Sequence, residues 1–184
     1  MDRDQALALL QGHTSEEYLV KHSLATEVIM RALAERLGHD PDTWGLTGLL
    51  HDLDYDQTKD EMARHGLVTA EILAEQGVPA EITDAIKSHN ADNLGLIREK
   101  PVDFALTAAE TITGLIVATT LVYPDKKIAS VKPKSVRKRM KEPRFAANVN
   151  RDHIRLSENL GLSLDEFIDL SLTAMKSIGP DLGL

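Results

Sequence analysis

Hydrophobic positions recur at helical spacing almost from end to end of this chain. In "TSEEYLVKHSLATEVIMRALAERL", Thr14 to about Leu37, apolar residues return every three to four positions and Gly38 stops the run. "TSEE" at Thr14 to Glu17 reads as a capping box for that helix. Asp40 and Pro41 make a cap and first-turn pair for a second run to about Leu53. Further helices are predicted from Asp60 to about Gln76, ended by Gly77, and from Pro79 to about Ser88. A long apolar one follows from about Pro101, closed by Pro124. Beyond it, Pro143 to Leu160 and Leu164 to about Ser177 complete the pattern, with Gly161 and Gly179 as stops. Period-two alternation is almost absent, and the β-branched residues fall inside the helical runs. The predicted fold class is all-α, a single compact helical bundle with additional C-terminal helices.

A length of 184 residues suits one domain, and no Gly- or Pro-rich linker divides it. Phe104 to Tyr123 has the length of a membrane span, but it places Glu110 and five threonines near its middle, which favours a buried core helix. The N-terminal "MDRDQALALLQGH" opens on acidic residues and lacks a signal peptide's basic start, and the chain has no cysteine. A cytoplasmic protein with no membrane partner is expected.

Charge changes the picture in one place. The net charge is −8, yet Lys126 to Arg144 carries +8, leaving −16 on the rest. Such an acidic body is not expected to hold nucleic acid stably, whereas the basic segment suits a small phosphorylated ligand. Lys132, Lys134, Arg137 and Lys138 are its candidate substrate contacts, against the alternative of a solvated basic face.

The candidate chemistry lies in the helices. His22 is near Leu19, Val20 and Ile29; His65 shares a helical face with Val68 and Ile72; His89 continues the face of Ile82 and Ile86. Each alone reads as a satisfied boundary histidine, but several on separate helices can converge as metal ligands. In "GLLHDLDYD", His51 and Asp52 end an apolar run, where a polar pair needs compensation. Glu110 is the single charge in its apolar stretch and should be paired, metal-bound or protonated, with Asp103 as fallback carboxylate.

This ordered set resembles the HD-domain superfamily of metal-dependent phosphohydrolases: a helical His, an adjacent His-Asp pair 29 residues on, then a distant acid. The resemblance covers about Leu19 to Leu121, leaving a basic segment at 126–144 and C-terminal helices across 143–178 outside it. His65 and His89, lying between the pair and the last acid, resemble the extra histidines of the two-metal branch. The resemblance implies a first ion on His22, His51, Asp52 and Glu110, with Asp52 bridging to a second on His65 and His89. Two departures stand out: Glu110 occupies the place of the usual Asp, and the frequent Gly-Lys after the pair is missing.

The implied activity is metal-assisted hydrolysis of a small phosphorylated metabolite or nucleotide, centred on His51 and Asp52, with Asp54 or Asp56 as a nearby base or simply a turn. Imidazole and carboxylate donors suit one or two ions of Mn, Fe, Co, Ni or Zn. The same ligand order also belongs to di-iron oxygenases of the inositol-oxygenase type, and the Glu at 110 would also suit a non-catalytic HD module. Substrate and oligomeric state are not legible in the sequence.

Overall fold

In the computed structural model, which describes every residue except Ser15, α-helices carry the fold and no strand occurs among the described residues. The elements that build the bundle are α1 (Arg3–His13), α2 (Glu17–Leu37), α3 (Pro41–Leu50), the single turn α4 (Tyr55–Thr58), α5 (Leu67–Glu75) and α6 (Ala80–His89). After the short α7 (Ala91–Leu94), the long α8 (Pro101–Leu121) runs through the core. The C-terminal part comprises α9 (Pro133–Met140), α10 (Arg151–Arg155), α11 (Leu164–Ser177) and α12 (Gly179–Leu182).

Helix α8 is apolar and long enough to cross a membrane by length and composition, but Ala105, Leu106, Ala108, Ala109, Ile112, Leu115 and Ile116 are wholly buried in the bundle. Its threonines tolerate burial because their hydroxyls donate back along the helix: Thr107 to the Asp103 carbonyl (2.9 Å), Thr111 to Thr107, Thr119 to Leu115 and Thr120 to Ile116. Asp103 is used at the start of the same helix, accepting from the Glu99 and Lys100 amides at 3.0 and 2.9 Å. It therefore caps α8 and has no part in the ligand cluster.

Helices α2 and α3 approach closely because α3 carries glycine at the contact. A Cβ on Gly48 would stand 3.0 Å from the Thr26 carbonyl oxygen and from Met30. The same interface is stapled by Glu27, 1% exposed, which pairs with Arg3 of α1 at 2.7 Å and Arg31 at 3.0 Å; Arg31 in turn reaches Asp42 of α3 at 2.7 Å. An unpaired carboxylate at that depth would be costly, so the two guanidiniums make its burial possible.

Several predicted boundaries move. The capping box at "TSEE" is not the start of α2, which begins at Glu17; Thr14 instead donates its hydroxyl to Asp56 at 2.6 Å, and Ser15 lies outside the described residues. Helix α3 ends at Leu50 rather than Leu53, because Asp54 draws the following backbone into a turn by bonding ahead to residues 65–69. The helix expected from Asp60 begins only at Leu67, after a left-handed Gly66 (φ 82°). Nor do residues 143–150 form a helix. Arg151 gathers the carbonyls of Ala146 and Val149, both at 2.7 Å, and that of Phe145, which holds this stretch in turns, with Ala146 itself left-handed (φ 45°). The basic segment is partly helical as α9, anchored by buried Val136 and Met140.

Candidate metal centre

The cluster is assembled from the ends and middles of four segments. His22 comes from within α2, His51 is the residue that caps α3, His65 precedes Gly66 in the turn before α5, and His89 is the last residue of α6. His65 thus does not lie on a helical face with Val68 and Ile72, because the chain is not yet helical there. Helix starts and ends leave backbone groups unpaired, so a ring placed there finds a partner for its second nitrogen without disturbing a helix interior.

That second nitrogen is engaged in every case. His51 Nδ1 lies 2.8 Å from the Gly48 carbonyl oxygen, and His89 Nδ1 meets the Ile86 carbonyl. His65 Nδ1 lies 2.8 Å from Asp54 Oδ1. His22 Nδ1 lies 3.0 Å from Thr113 Oγ1, whose own proton goes to the Glu110 carbonyl at 2.6 Å. Carbonyl and carboxylate accept only, and the Thr113 oxygen is left to accept, so all four Nδ1 atoms carry their proton and donate it. The four Nε2 atoms then present lone pairs.

These lone pairs converge. His22 Nε2 is 3.2 Å from His51 Nε2, and His65 Nε2 is 2.9 Å from His89 Nε2. Asp52 stands between the two pairs, its Oδ2 3.6 Å from His22 and its Oδ1 3.4, 3.2 and 3.7 Å from His51, His65 and His89. Two groups result, His22–His51–Asp52 and Asp52–His65–His89, with the carboxylate shared. Facing imidazole lone pairs repel unless a cation lies between them. Donors held at about 2.1 Å from one ion stand roughly 3.0 to 3.4 Å apart, close to the 2.9 to 3.7 Å found here. The donor set therefore fits two adjacent divalent cations.

Electrostatics agree. Burial lowers His22 and carries His51 down to about 3, which keeps both rings neutral. Burial opposes the charge on Asp52, yet the surrounding imidazoles outweigh it and hold the carboxyl well below its ordinary range. His65 also loses by burial, but Asp52 and Asp54 push it up to about 9, so without a cation this ring takes a proton in its stead.

Asp54 is fully buried and its oxygens are spent. Oδ1 holds His65, while Oδ2 accepts the amides of Gly66 (2.8 Å) and Thr69 (3.0 Å). It therefore positions His65 and cannot serve as the base expected from its place after the His-Asp pair. Gly66 must stay glycine for this: at φ 82° a Cβ would also meet the Ile86 carbonyl at 3.1 Å. Asp56 is tied to Thr14.

Glu110 stands beside the cluster and outside both ligand groups, its carboxyl bonded to the Thr111 hydroxyl. Burial pushes it up to about 8, with the Asp52 charge adding to the rise. To join the first group it must release its proton. In the metal-free protein this proton links stability to pH. The folded carboxyl holds it up to about pH 8 against an ordinary 4.5, so its contribution is complete below pH 4.5 and is lost as pH rises through 8. Urea titrations at pH 5 and pH 8.5 should show a Glu110→Gln variant gaining stability over the wild type at the higher pH; an unchanged difference between the two proteins at both pH values would refute this.

The structure does not bring Lys132, Lys134, Arg137 and Lys138 to the cluster. Lys132 and Lys134 flank Tyr123, some 15 Å along the α8 direction from Thr113 at 1.5 Å per residue. Arg137 is held by Asp165 (2.9 Å) and Asp169 (2.6 Å) of α11, and Lys138 lies 3.8 Å from Glu142. Residues the sequence reading passed over matter more. Thr113 orients His22, and Arg98 ties the His89 carbonyl (3.0 Å) to Thr107 (3.0 Å) and Asp92 (3.1 Å). The only signal for Thr113 was its place three residues after Glu110 in "AETITG".

Residues 19–119 match the sequence profile of the HD domain, a stretch that contains all five convergent ligands. The chain is an HD-domain protein. No curated protein sequence matches it. The HD family consists mostly of metal-dependent hydrolases, and the His/Asp cluster of this HD domain fits the divalent-metal binding that characterises it. The residues beyond 119 lie outside that match, yet α11 packs Phe167, Ile168, Leu172 and Met175 into the common core.

Proposed function

We propose that this HD-domain protein is a phosphohydrolase that cleaves a small phosphorylated metabolite or nucleotide with two divalent cations. The observation that carries the reading is the set of four donating Nδ1 atoms, which leaves four Nε2 lone pairs aimed at one shared carboxylate. When bound, such cations neutralise phosphoryl oxygens and acidify water, and Mn, Fe, Co, Ni and Zn all suit these donors. The chain's own part is to hold and to space. His22 and His51 serve one side, His65 and His89 the other, and Asp52 keeps the two sides adjacent. Thr113, Asp54 and the carbonyls of Gly48 and Ile86 lock the rings, so no rotation is needed on binding. Partly buried Glu110 holds a proton at its carboxyl beside them. An acidic chain without cysteine accords with a small ligand rather than a polyanion, and with a reducing, cytoplasmic setting.

The test is hydrolysis of a broad phosphoester panel by protein loaded with each metal, alongside metal analysis of His51→Ala. Hydrolysis by the loaded wild type and loss of metal in the variant are expected. Inactivity of a verified two-metal preparation, with metal content unchanged in the variant, would sink the reading. Oxygen consumption by a mixed-valence di-iron form would replace it with oxidation chemistry.

A further inference from the structure

The ligands are unequally covered. Side chains of His51, His65 and His89 are 1, 4 and 6% exposed, whereas Asp52 keeps 11% and His22 24%. Anything arriving from solvent therefore meets the cluster over His22 and Asp52. Against His22 opens a pocket of about 350 Å³ that also takes in Thr113, the residue that holds the His22 ring. Tyr18 borders this pocket beside His22.

The lining is nearly all hydrocarbon. Helix α8 contributes Val117, Ala118 and Leu121, and α2 contributes Ala25. Alanines at 25 and 118 are what leave the space open. Polar groups are few: Lys21 pairs with Glu17 at 2.7 Å, the Thr113 hydroxyl is bonded at both ends, and beside the His22 ring the Tyr18 hydroxyl is the remaining polar side-chain group of the lining. Among the described residues, no lining side chain is an amide, a carboxylate or a guanidinium. A nucleobase or sugar placed here would lose more hydrogen bonds to water than these few groups could replace, at a cost in affinity. A hydrocarbon group would gain by burial, and Leu121, left 50% exposed, and Tyr18, 57% exposed, would be covered by it. The volume falls in the lower part of the span usual for small-molecule sites.

We propose that this pocket receives the apolar part of the substrate, making the preferred phosphoester one of a hydrocarbon-bearing alcohol rather than of a nucleoside or sugar. The proposal rests on the phosphohydrolase reading, since the phosphoryl group must lie at the ions for the remainder to reach the pocket. Ala118 and Leu121 are then determinants of specificity.

Alkylphosphonates, which resist hydrolysis, make the probe: methyl-, butyl- and octylphosphonate titrated into the metal-loaded protein by calorimetry. The dissociation constant should fall by up to about fourfold per methylene until the pocket is filled. Ala118→Leu should shorten the chain length at which the gain stops, and Leu121→Asp, at an exposed position that spares folding, should weaken octylphosphonate more than methylphosphonate. Metal content should stay at the wild-type value in both. Affinity independent of chain length would overturn the pocket's role and leave the phosphohydrolase reading standing. Failure of every phosphonate to bind a verified two-metal protein would overturn both. A dimer seen by sedimentation that Leu121→Asp dissociates, with the chain-length slope unaltered, would assign the face to a second copy and overturn the proposal.

Discussion

Asp52→Ala should strip the protein of both ions at once. Its carboxylate is the one donor common to the two ligand groups, so its loss reduces each to a pair of imidazoles. Two neutral nitrogens hold a divalent cation far more weakly than two nitrogens and an anion, and nothing else within the cluster supplies the missing charge while Glu110 keeps its proton. After dialysis, transition-metal content should fall to background. Phosphoester hydrolysis should fall by more than about a hundredfold, beyond the 10–100-fold span typical of removing an outer partner of a ligand. The fold should persist, because Asp52 is at the margin of the core at 9% exposure and accepts no backbone bond that another group depends on. Asp52→Asn separates charge from shape: it keeps the volume and loses the anion, and should resemble Asp52→Ala in metal content. Metal analysis and circular dichroism together check this; retention of one ion by either variant would show that the groups do not share the carboxylate.

Asp54→Ala should produce a different defect, a half-loaded protein of lower stability. Asp54 touches no ligand group but His65, so the ion held by Asp52, His65 and His89 should weaken by about 10–100-fold while the one on His22 and His51 stays. The stability cost comes from the amides of Gly66 and Thr69 and from His65 Nδ1, three buried donors that lose their Asp54 acceptor, of which only His65 Nδ1 has another within reach, Thr58 Oγ1 at 3.3 Å. At about 1–3 kcal/mol each the loss is of order 3 kcal/mol or more, partly relieved if water enters. Asp54→Asn should be the milder change, since its amide oxygen still accepts one of the three. Metal stoichiometry near one ion per chain, with a lowered urea midpoint, is the expected signature. Loss of both ions together, or of neither, would contradict the positioning role.

How much of this was legible in the chain can be seen residue by residue. The helical class followed from apolar spacing, because α8 and α11 each bury one continuous set of side chains and such spacing is visible without knowing the partner. His51 and Asp52 could be singled out because a polar pair ending an apolar run needs compensation, and His22, His65 and His89 because of their order around that pair, which resembles the HD signature. Asp54 could not be assigned, since its role depends on amides 12 and 15 residues ahead that only the turn before α5 brings near. The basic segment misled for a related reason. Charge density is a property of the sequence, but Arg137 is neutralised by Asp165 and Asp169, which lie on a helix that only packing sets beside it.

Periodicity, and with it the all-α class and the residue types able to hold a cation, could be read along the chain. These are local quantities, set by side-chain chemistry and by neighbours within a few positions. Folding adds which nitrogen of each ring faces inward, that Asp52 is shared, that Glu110 turns to Thr111, and that an apolar pocket adjoins His22. The sharing of Asp52 and the hold on the His22 ring depend on groups tens of residues apart, 29 for His22 and His51 and 91 for His22 and Thr113, meeting within hydrogen-bond distance. Contacts at that separation are made by helix packing, and helix packing is where a carboxylate in a row of acids becomes either a ligand or a brace.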